Sequence, residues 1–585
     1  MERIDGRRIH HYILCMKGSD LIADFLRHKN VPCVFEVVGG MIAHIVDSLS
    51  AIHLPVVSMH HEQAAAFAAG AVGRMTGIPG VAMATSGPGA TNLLTGIGDC
   101  YFDSVPAVFI TGQVNRHELK GERHIRQSGF QETDIVAIAG PITKAAWQIC
   151  EPGDLLPSLE RAFALATQGR PGPVLLDVPM DIQNSDLPPP VPAPPPTRVN
   201  AAPMNLHPLQ QALSSSARPL LVVGNGVRTA GASDALKAFA ERTGIPVVHS
   251  LLGLDTLPSS HPLSIGMIGT YGNRWANLAV GRSDCIIVIG SRLDIRQTGA
   301  DTTSWKGKRV VFHVDCDATA INDRVRGCIP IIADASAFLA QALALFPEER
   351  SGMYDSWLAE IHALRTQWPH TGELTDVRDI HPNAFMHALS AKSGAAAAYT
   401  VDVGQHQMWA AQSIERKPGQ RFLTAGGMGA MGFALPTAIG VAFVTHAPVV
   451  AIAGDGAFQL NIQELETVAH HHLPIKIIII DNRSYGMVRQ FQDSYFEGRY
   501  HSTVWGYSAP NFSKVACAYG IAARTIAKPE EVTSALEWLW QDPQAPCLLQ
   551  VMIDQSLNAY PKIAYGRPMT EMEPHISPLA FGEGT

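Results

Sequence analysis

Asp455 and Asn482 are the residues whose types and spacing point most directly to a chemistry. Asp455 stands in Gly454-Asp455-Gly456, just after the apolar run Pro448 to Ala453. Asn482 comes 27 residues later, just after a second strand-like run, Ile475 to Ile480, apolar from Ile477 on. A hard divalent cation prefers oxygen ligands. Asp455 offers a carboxylate, Asn482 an amide oxygen, and the backbone of Ser484 a third oxygen. A bound diphosphate would supply the others, and Gly456 lets the backbone approach phosphates closely. A lone Gly-Asp-Gly is more often a structural turn. The second oxygen ligand at the end of the next strand shifts the balance toward a cation-bound diphosphate.

The elements that must position these two residues are legible around them. Both runs are short and largely apolar, as buried strands are. Between them Asn461 reads as a helix N-cap, with Ile462, Leu465, Val468 and Ala469 at helical spacing. Leu473-Pro474 ends that helix. His470-His471-His472 falls at the same end, where histidine suits the helix dipole better than it indicates a metal. The result is one βαβ unit with a right-handed crossover, which puts Asp455 and Asn482 at the same carboxyl edge of a sheet. Helical and short-strand patterns alternate along the whole chain, which predicts α/β architecture with parallel sheets. A polyproline-type stretch from Leu187 to Pro196 and a polar stretch near 347–382 divide the chain. The expected domains are 16–186, 199–346 and 380–560. Residues 1–15 read as an extension, and the Pro- and Gly-rich last ~25 residues as a tail.

Composition narrows the function classes. The 585 residues are 46% hydrophobic and 16% charged, and mean hydropathy is +0.07. A formal charge of −8 gives no basic footprint for nucleic acid. No apolar run reaches the ~18 residues of a membrane span. The nine cysteines form no Cys-x-x-Cys pair, and no signal-peptide apolar region stands at the N-terminus. A reduced, cytoplasmic enzyme is expected.

Further motifs are spread over the chain: His61-Glu62-Gln63-Ala64-Ala65-Ala66, Thr85 to Asn92 (TSGPGATN), Phe130-Gln131-Glu132-Thr133-Asp134 and Gly169-Arg170-Pro171-Gly172-Pro173. Gly404-Gln405-His406, Gly427 to Gly432 (GMGAMG) and Gly486-Met487-Val488-Arg489-Gln490 complete the set. With these motifs the chain resembles the catalytic subunits of the acetolactate synthase (acetohydroxyacid synthase) family of thiamine diphosphate enzymes. The spacing of Asp455 and Asn482 matches the signature of that cofactor. The resemblance implies three doubly wound parallel-sheet domains: an N-terminal pyrimidine-binding domain, a central FAD-binding-like domain, and a C-terminal domain for diphosphate and Mg²⁺. It assigns Glu62 to the aminopyrimidine ring, where a carboxylate promotes loss of the thiazolium C2 proton. Met431 would wedge under the cofactor. Gln405, His406, Gly429, Gly456 and Met487 would contact it, and Phe130 and Gln131 would stand beside the substrate. Without the motifs Glu62 is an ordinary acid at a helix start, Met431 a core residue and His406 a loop histidine.

The central segment carries Pro219 to Gly226 and Gly290 to Arg296, which alone are common glycine turns after strands. They resemble the family's flavin-binding positions. The FAD residues so implied are Arg170, Gly224, Gly226, Gly290, Arg292, Asp294, Arg296, Asp315 and Asp334. Arg292 and Arg296 would pair with the pyrophosphate, and Asp334 would lie near the adenine. In that family FAD is structural and undergoes no net redox change.

The implied reaction decarboxylates pyruvate and adds the acetyl unit to a second carbonyl, giving 2-acetolactate when the acceptor is pyruvate. Some positions depart from the family pattern. Met180 stands where many synthases carry Lys, and Phe491 where Trp is frequent. Phe35 to Gly40 lacks the usual proline before its glycines and is followed by His44. Phe491, Met180, Gly40 and His44 are therefore the candidate acceptor pocket. A roomier pocket fits a bulkier ketone such as a nucleotide-linked keto-deoxysugar. A 2-ketoacid decarboxylase or a flavin-linked oxidase is a further rival. Retention of Glu62, Asp455 and Asn482 argues against an inactive scaffold. The resemblance also implies a homodimer or homotetramer, with the cofactor between the N-terminal domain of one subunit and the C-terminal domain of another. A regulatory subunit is possible in such a family.

Overall fold

The computed structural model describes residues 15–187, 203–346 and 352–579. The expected N-terminal extension, apart from Cys15, and the proline-rich stretch beyond Leu187 lie outside the described residues. The rest folds around three six-stranded sheets, each parallel throughout. The first contains β1 (Val34–Val37), β2 (Val56–Ser58), β3 (Gly80–Ala84), β4 (Ala107–Gln113), β5 (Ala145–Gln148) and β6 (Pro173–Pro179), in the order β2-β1-β3-β4-β6-β5. The second contains β7 (Pro219–Val223), β8 (Val247–His249), β9 (Ser264–Met267), β10 (Cys285–Ile289), β11 (Val310–Asp315) and β12 (Ile329–Ile332), in the order β9-β8-β7-β10-β11-β12. The third contains β13 (Ala398–Val401), β14 (Arg421–Thr424), β15 (Val449–Gly454), β16 (Ile475–Asp481), β17 (Ala522–Ile526) and β18 (Cys547–Met552), in the order β14-β13-β15-β16-β18-β17.

The first and third sheets therefore share one strand order, while the middle one has the 3-2-1-4-5-6 order of dinucleotide-binding folds. Each sheet reverses direction beside its first strand, and crevices for ligands open at such switch points. The strands form because their residues suit a sheet covered on both faces. β16 places Ile477 to Ile480 in succession, and every residue of β15 and β16 is buried.

Four helices position the sites: α1 (Glu62–Thr76), α2 (Gln405–Ser413), α3 (Ala434–Thr445) and α4 (Gly486–Tyr495). α1 is rich in small residues, from Ala64 to Gly73, and α3 packs closely along it. The Phe67 and Phe433 rings meet edge to face at 5.5 Å. One continuous hydrophobic core thus joins the first and third domains within a single chain.

One segment differs from the sequence expectation. The polar stretch 347–382 contains a helix, Asp355–Gln367, which buries Trp357, Ile361 and Leu364 in the central core. Those residues recur at i, i+4 and i+7, so the amphipathic signal lay inside a polar composition. Trp357 also donates its indole N–H to the Pro219 carbonyl at 3.0 Å. The C-terminal tail packs as well, adding Ile563, Met569 and Met572 to the same core.

The α1–α3 contact leaves no room for side chains at its closest point. A Cβ at Gly440 would overlap the Ala68 carbonyl oxygen and lie 2.8 Å from the Ala71 Cβ. Gly440→Val is expected to destabilise the fold by about 2 kcal/mol or more through overpacking, read as a lower midpoint in a urea titration. An unchanged midpoint would show that the two domains are not locked through this contact.

Candidate active site

β15 and β16 are neighbours in register, Gly454 opposite Ile480. Asp455 and Asn482 follow directly, so the expected pairing at one carboxyl edge is present. Both are buried and line one cleft. The helix after β15 starts earlier than its N-cap signal indicated. Helical turns begin at Asp455, and Asn461 sits at a kink with φ −135°. Its Nδ2 donates to the Gly432 carbonyl (2.7 Å) and to Gln63 Oε1 (3.1 Å), and its Oδ1, the atom that would cap, accepts from Gln463 Nε2 (3.2 Å). His470 closes the following helix, as the sequence predicts.

The cleft is walled by three other carboxyl-edge segments. After β13 come Gln405 and His406 at the start of α2. After β14 come Gly429 and Met431. After β16 come Ser484, Gly486 and Met487. Asn482 is oriented by its neighbours: its Nδ2 donates to Gln405 Oε1 (3.1 Å), and its Oδ1 accepts from the Ser484 N–H (3.1 Å). Gln405 in turn donates to Gln490 Oε1 (3.2 Å) and to the Leu557 carbonyl (3.1 Å).

The electrostatics fit an absent cation and diphosphate. Burial, then the nearby Asp481 carboxylate, hold Asp455 well above the usual carboxylate range, against hydrogen bonding from the Tyr507 hydroxyl and from the Asp455 and Gly456 backbone. Such a group lacks a counter-charge. Burial pushes the His406 imidazole down to about 3, so it is neutral at pH 7. Its Nε2 and the Ser484 hydroxyl are buried without partners among the described residues. Unpaired donors beside an undercompensated carboxylate are what a bound anion and its cation would satisfy.

A second carboxylate that the sequence reading missed shapes the Met431 wall. Asp402, at the end of β13, accepts from the Val403, Gly432 and Ala434 N–H groups at 2.8–3.0 Å. Burial raises it to about 6 despite those bonds. At the other end of the same strip, Asp103 of the first domain accepts from the N–H groups of Gly426 (3.0 Å) and Gly427 (2.7 Å). Neither aspartate lies in a recognisable motif, and only the fold brings them to the strip.

Of the residues expected beside substrate, all but Phe491 follow strands of the first sheet. Glu62 opens α1 after β2, capped by the His61 side chain, and its Oε2 accepts from Asn92 Nδ2 at 2.9 Å. Gln131 and Phe130 follow β4, Gln131 with a left-handed φ of 64° and Phe130 78% exposed. Gly40 and His44 follow β1 and are exposed; Met180 follows β6 and is half-buried. Phe491 lies on α4, 41% exposed, its ring tilted against that of Tyr495 with centroids 4.7 Å apart. None of these residues lines the Asp455–Asn482 cleft of the same chain. Within one chain the two edges stay apart.

The middle sheet bears a separate cleft of about 1370 Å³ at its switch point. All nine residues expected at a flavin line it: Arg170, Gly224, Gly226, Gly290, Arg292, Asp294, Arg296, Asp315 and Asp334. Gly226 and Gly290 touch, and a Cβ on Gly226 would come within 2.6 Å of the Gly290 Cα. Asp294 caps a short helix and pairs with Arg292 at 3.2 Å. Arg296 donates to the Gly426 carbonyl at 3.1 Å. The two clefts share walls, since Gly426, Gly427 and Met408 line this one while Gly429, Met431 and Trp409 line the other.

Comparison with known proteins agrees with this layout. The N-terminal TPP binding, central, and C-terminal TPP binding domain models of thiamine pyrophosphate enzymes match residues 16–138, 206–342 and 402–551. The chain is 37% identical to an acetolactate synthase large subunit from Corynebacterium glutamicum, covering 97% of this chain and 92% of the relative. It is 36% identical to the acetolactate synthase isozyme 2 large subunit of Escherichia coli, over 96% and 100%. It is 36% identical to the chloroplastic acetolactate synthase 2 of Nicotiana tabacum, over 94% and 84%. With three matching domains and full-length relatives, this chain belongs to the thiamine diphosphate enzymes, in the family of acetolactate synthase large subunits.

Proposed function

We propose that this chain is the catalytic subunit of an acetolactate synthase, joining two molecules of pyruvate into 2-acetolactate with loss of CO₂. The observation that carries the reading is the pairing of Asp455 and Asn482 at adjacent strand ends, over a cleft of glycines and unpaired donors. The relatives named acetolactate synthase give the substrate class. They do not favour the keto-sugar ligase, decarboxylase or oxidase readings.

Thiamine diphosphate, when bound, supplies an electron sink for decarboxylation and a nucleophilic carbon for the new C–C bond. The chain's residues then bind and orient. Asp455, Asn482 and the Ser484 carbonyl would hold Mg²⁺; His406 would donate to the diphosphate, and Gln405 would keep Asn482 in place. Met431 would support the cofactor from the strip that Asp402 pins. Glu62, oriented by Asn92, would hold a proton at the aminopyrimidine ring. The central cleft would take FAD in a structural role, with Arg292 and Arg296 toward its pyrophosphate.

Glu62 and Asp455 lie at different edges of one chain, so we assign each complete site to two subunits of a homodimer or larger assembly. Exposed Phe130, Met428 and Phe491 suit burial at such a junction. The name "large subunit" borne by the relatives supports a smaller regulatory partner. Among the described residues no helix is long and apolar enough to cross a membrane. The nine free cysteines suit a reducing cytoplasm.

Glu62→Gln should lower pyruvate turnover at least about 100-fold while leaving the fold intact, measured by acetolactate formation and circular dichroism; turnover near wild type refutes its role. Mixing equal amounts of Glu62→Gln and Asp455→Ala chains under subunit exchange should restore about one quarter of wild-type activity if sites are shared across a two-fold. No recovery would place each site within one chain. Phe491→Trp should narrow the acceptor range toward small ketoacids. An unchanged product profile over a panel of ketones would remove Phe491 from the acceptor pocket.

A further inference from the structure

Among the described residues, the one side-chain hydrogen bond to the Asp455 carboxylate comes from Tyr507, 52 residues downstream. Tyr507 lies in no motif used above. Its hydroxyl donates to Asp455 Oδ2 at 2.7 Å.

The contact is built from several directions. The segment Tyr500 to Tyr507 folds back on itself, with the Ser502 N–H donating to the Trp505 carbonyl (3.0 Å) and the Tyr507 N–H to that of Val504 (3.2 Å). It is fastened to α4 by Gln492, whose Nε2 donates to the His501 carbonyl (3.0 Å) and whose Oε1 accepts from the Thr503 hydroxyl. The Tyr485 N–H donates to the Thr503 carbonyl at 3.1 Å. The Tyr485 ring then braces Tyr507 edge to face, centroids 4.8 Å apart. The space for this pair exists because position 456 is glycine. A Cβ there would lie 2.5 Å from Tyr485 Cε1 and 3.3 Å from the Tyr507 hydroxyl.

A carboxylate that binds a cation through one oxygen gains affinity when a second group fixes the other oxygen. We propose that Tyr507 is a positioning residue for the cation, its hydroxyl holding Asp455 Oδ2 so that the other carboxylate oxygen is presented to the metal. The proposal rests on the reading of the Asp455–Asn482 cleft as a cation–diphosphate site. Tyr485, next to Ser484, couples the same loop to the third oxygen of the set. Cation affinity, rather than pyruvate binding, is therefore the property that depends on Tyr507.

The test uses the full chain, stripped of metal and saturated with thiamine diphosphate, titrated with Mn²⁺ and read by electron paramagnetic resonance of the free ion. Tyr507→Phe should raise the Mn²⁺ Kd about 10-fold. The pyruvate KM should be unchanged, and kcat at saturating metal should stay within about two-fold of wild type. Tyr500→Phe is the control: Tyr500 sits on the same loop but bonds Asp493, and its loss should leave Mn²⁺ affinity unaltered. Wild-type affinity in Tyr507→Phe overturns the proposal. Equal weakening in both variants also overturns it, because the loop rather than the hydroxyl would then be responsible. Wild-type chain that binds no Mn²⁺ beside thiamine diphosphate overturns the cleft reading and the proposal together.

Discussion

A carboxylate buried at the end of a parallel strand must be compensated, and much of this molecule is arranged around that requirement. Asp455 is 1% exposed and near a second acid, Asp481. Burial of an unpaired charge costs several kcal/mol. The Tyr507 hydroxyl offsets part of that cost, and a cation bound at the cleft would offset more. The same problem is solved differently at Asp402, where three backbone N–H groups converge on one carboxylate. That solution makes Asp402 structural, since it has spent its oxygens on the backbone. Asp455 keeps an oxygen available.

The two clefts are mechanically related. The strip from Gly426 to Gly432 runs between them, held at one end by Asp103 and at the other by Asp402. α2 serves both, with Met408 turned to one cleft and His406 and Trp409 to the other. A flavin in the central cleft would therefore stand against the wall that supports Met431. There it would fill space behind a thin, glycine-rich partition, the purely structural role proposed for it above.

The first and third domains repeat one strand order, and their principal packing contact is between α1 and α3. Small residues on α1 and Gly440 on α3 let the helices approach until backbone meets side chain. That close contact fixes the two sheets in an orientation that keeps Glu62 out of the Asp455 cleft. A second copy of the chain is the simplest way to bring the two chemistries together, and exposed apolar side chains at both edges fit that arrangement.

The sequence by itself determined the parallel α/β class, the strand ends bearing Asp455 and Asn482, and the glycine turns of both clefts. These are local signals: a short apolar run marks a strand, and two oxygen ligands at the ends of successive strands, 27 residues apart, mark one sheet edge. The helix at 355–367 was legible in principle from its apolar spacing, but its polar composition masked it. The N-cap reading of Asn461 failed because its side chain is committed elsewhere: Nδ2 donates to the distant Gly432 carbonyl and Oδ1 accepts from the Gln463 side chain instead of a backbone N–H. Asp402, Asp103 and Tyr507 were decided only by the tertiary structure. Each acts on a segment far away in the chain, through a hydrogen bond whose partner no spacing rule announces. The separation of Glu62 from Asp455 is of the same kind. It depends on how closely two helices pack, which only the assembled core sets.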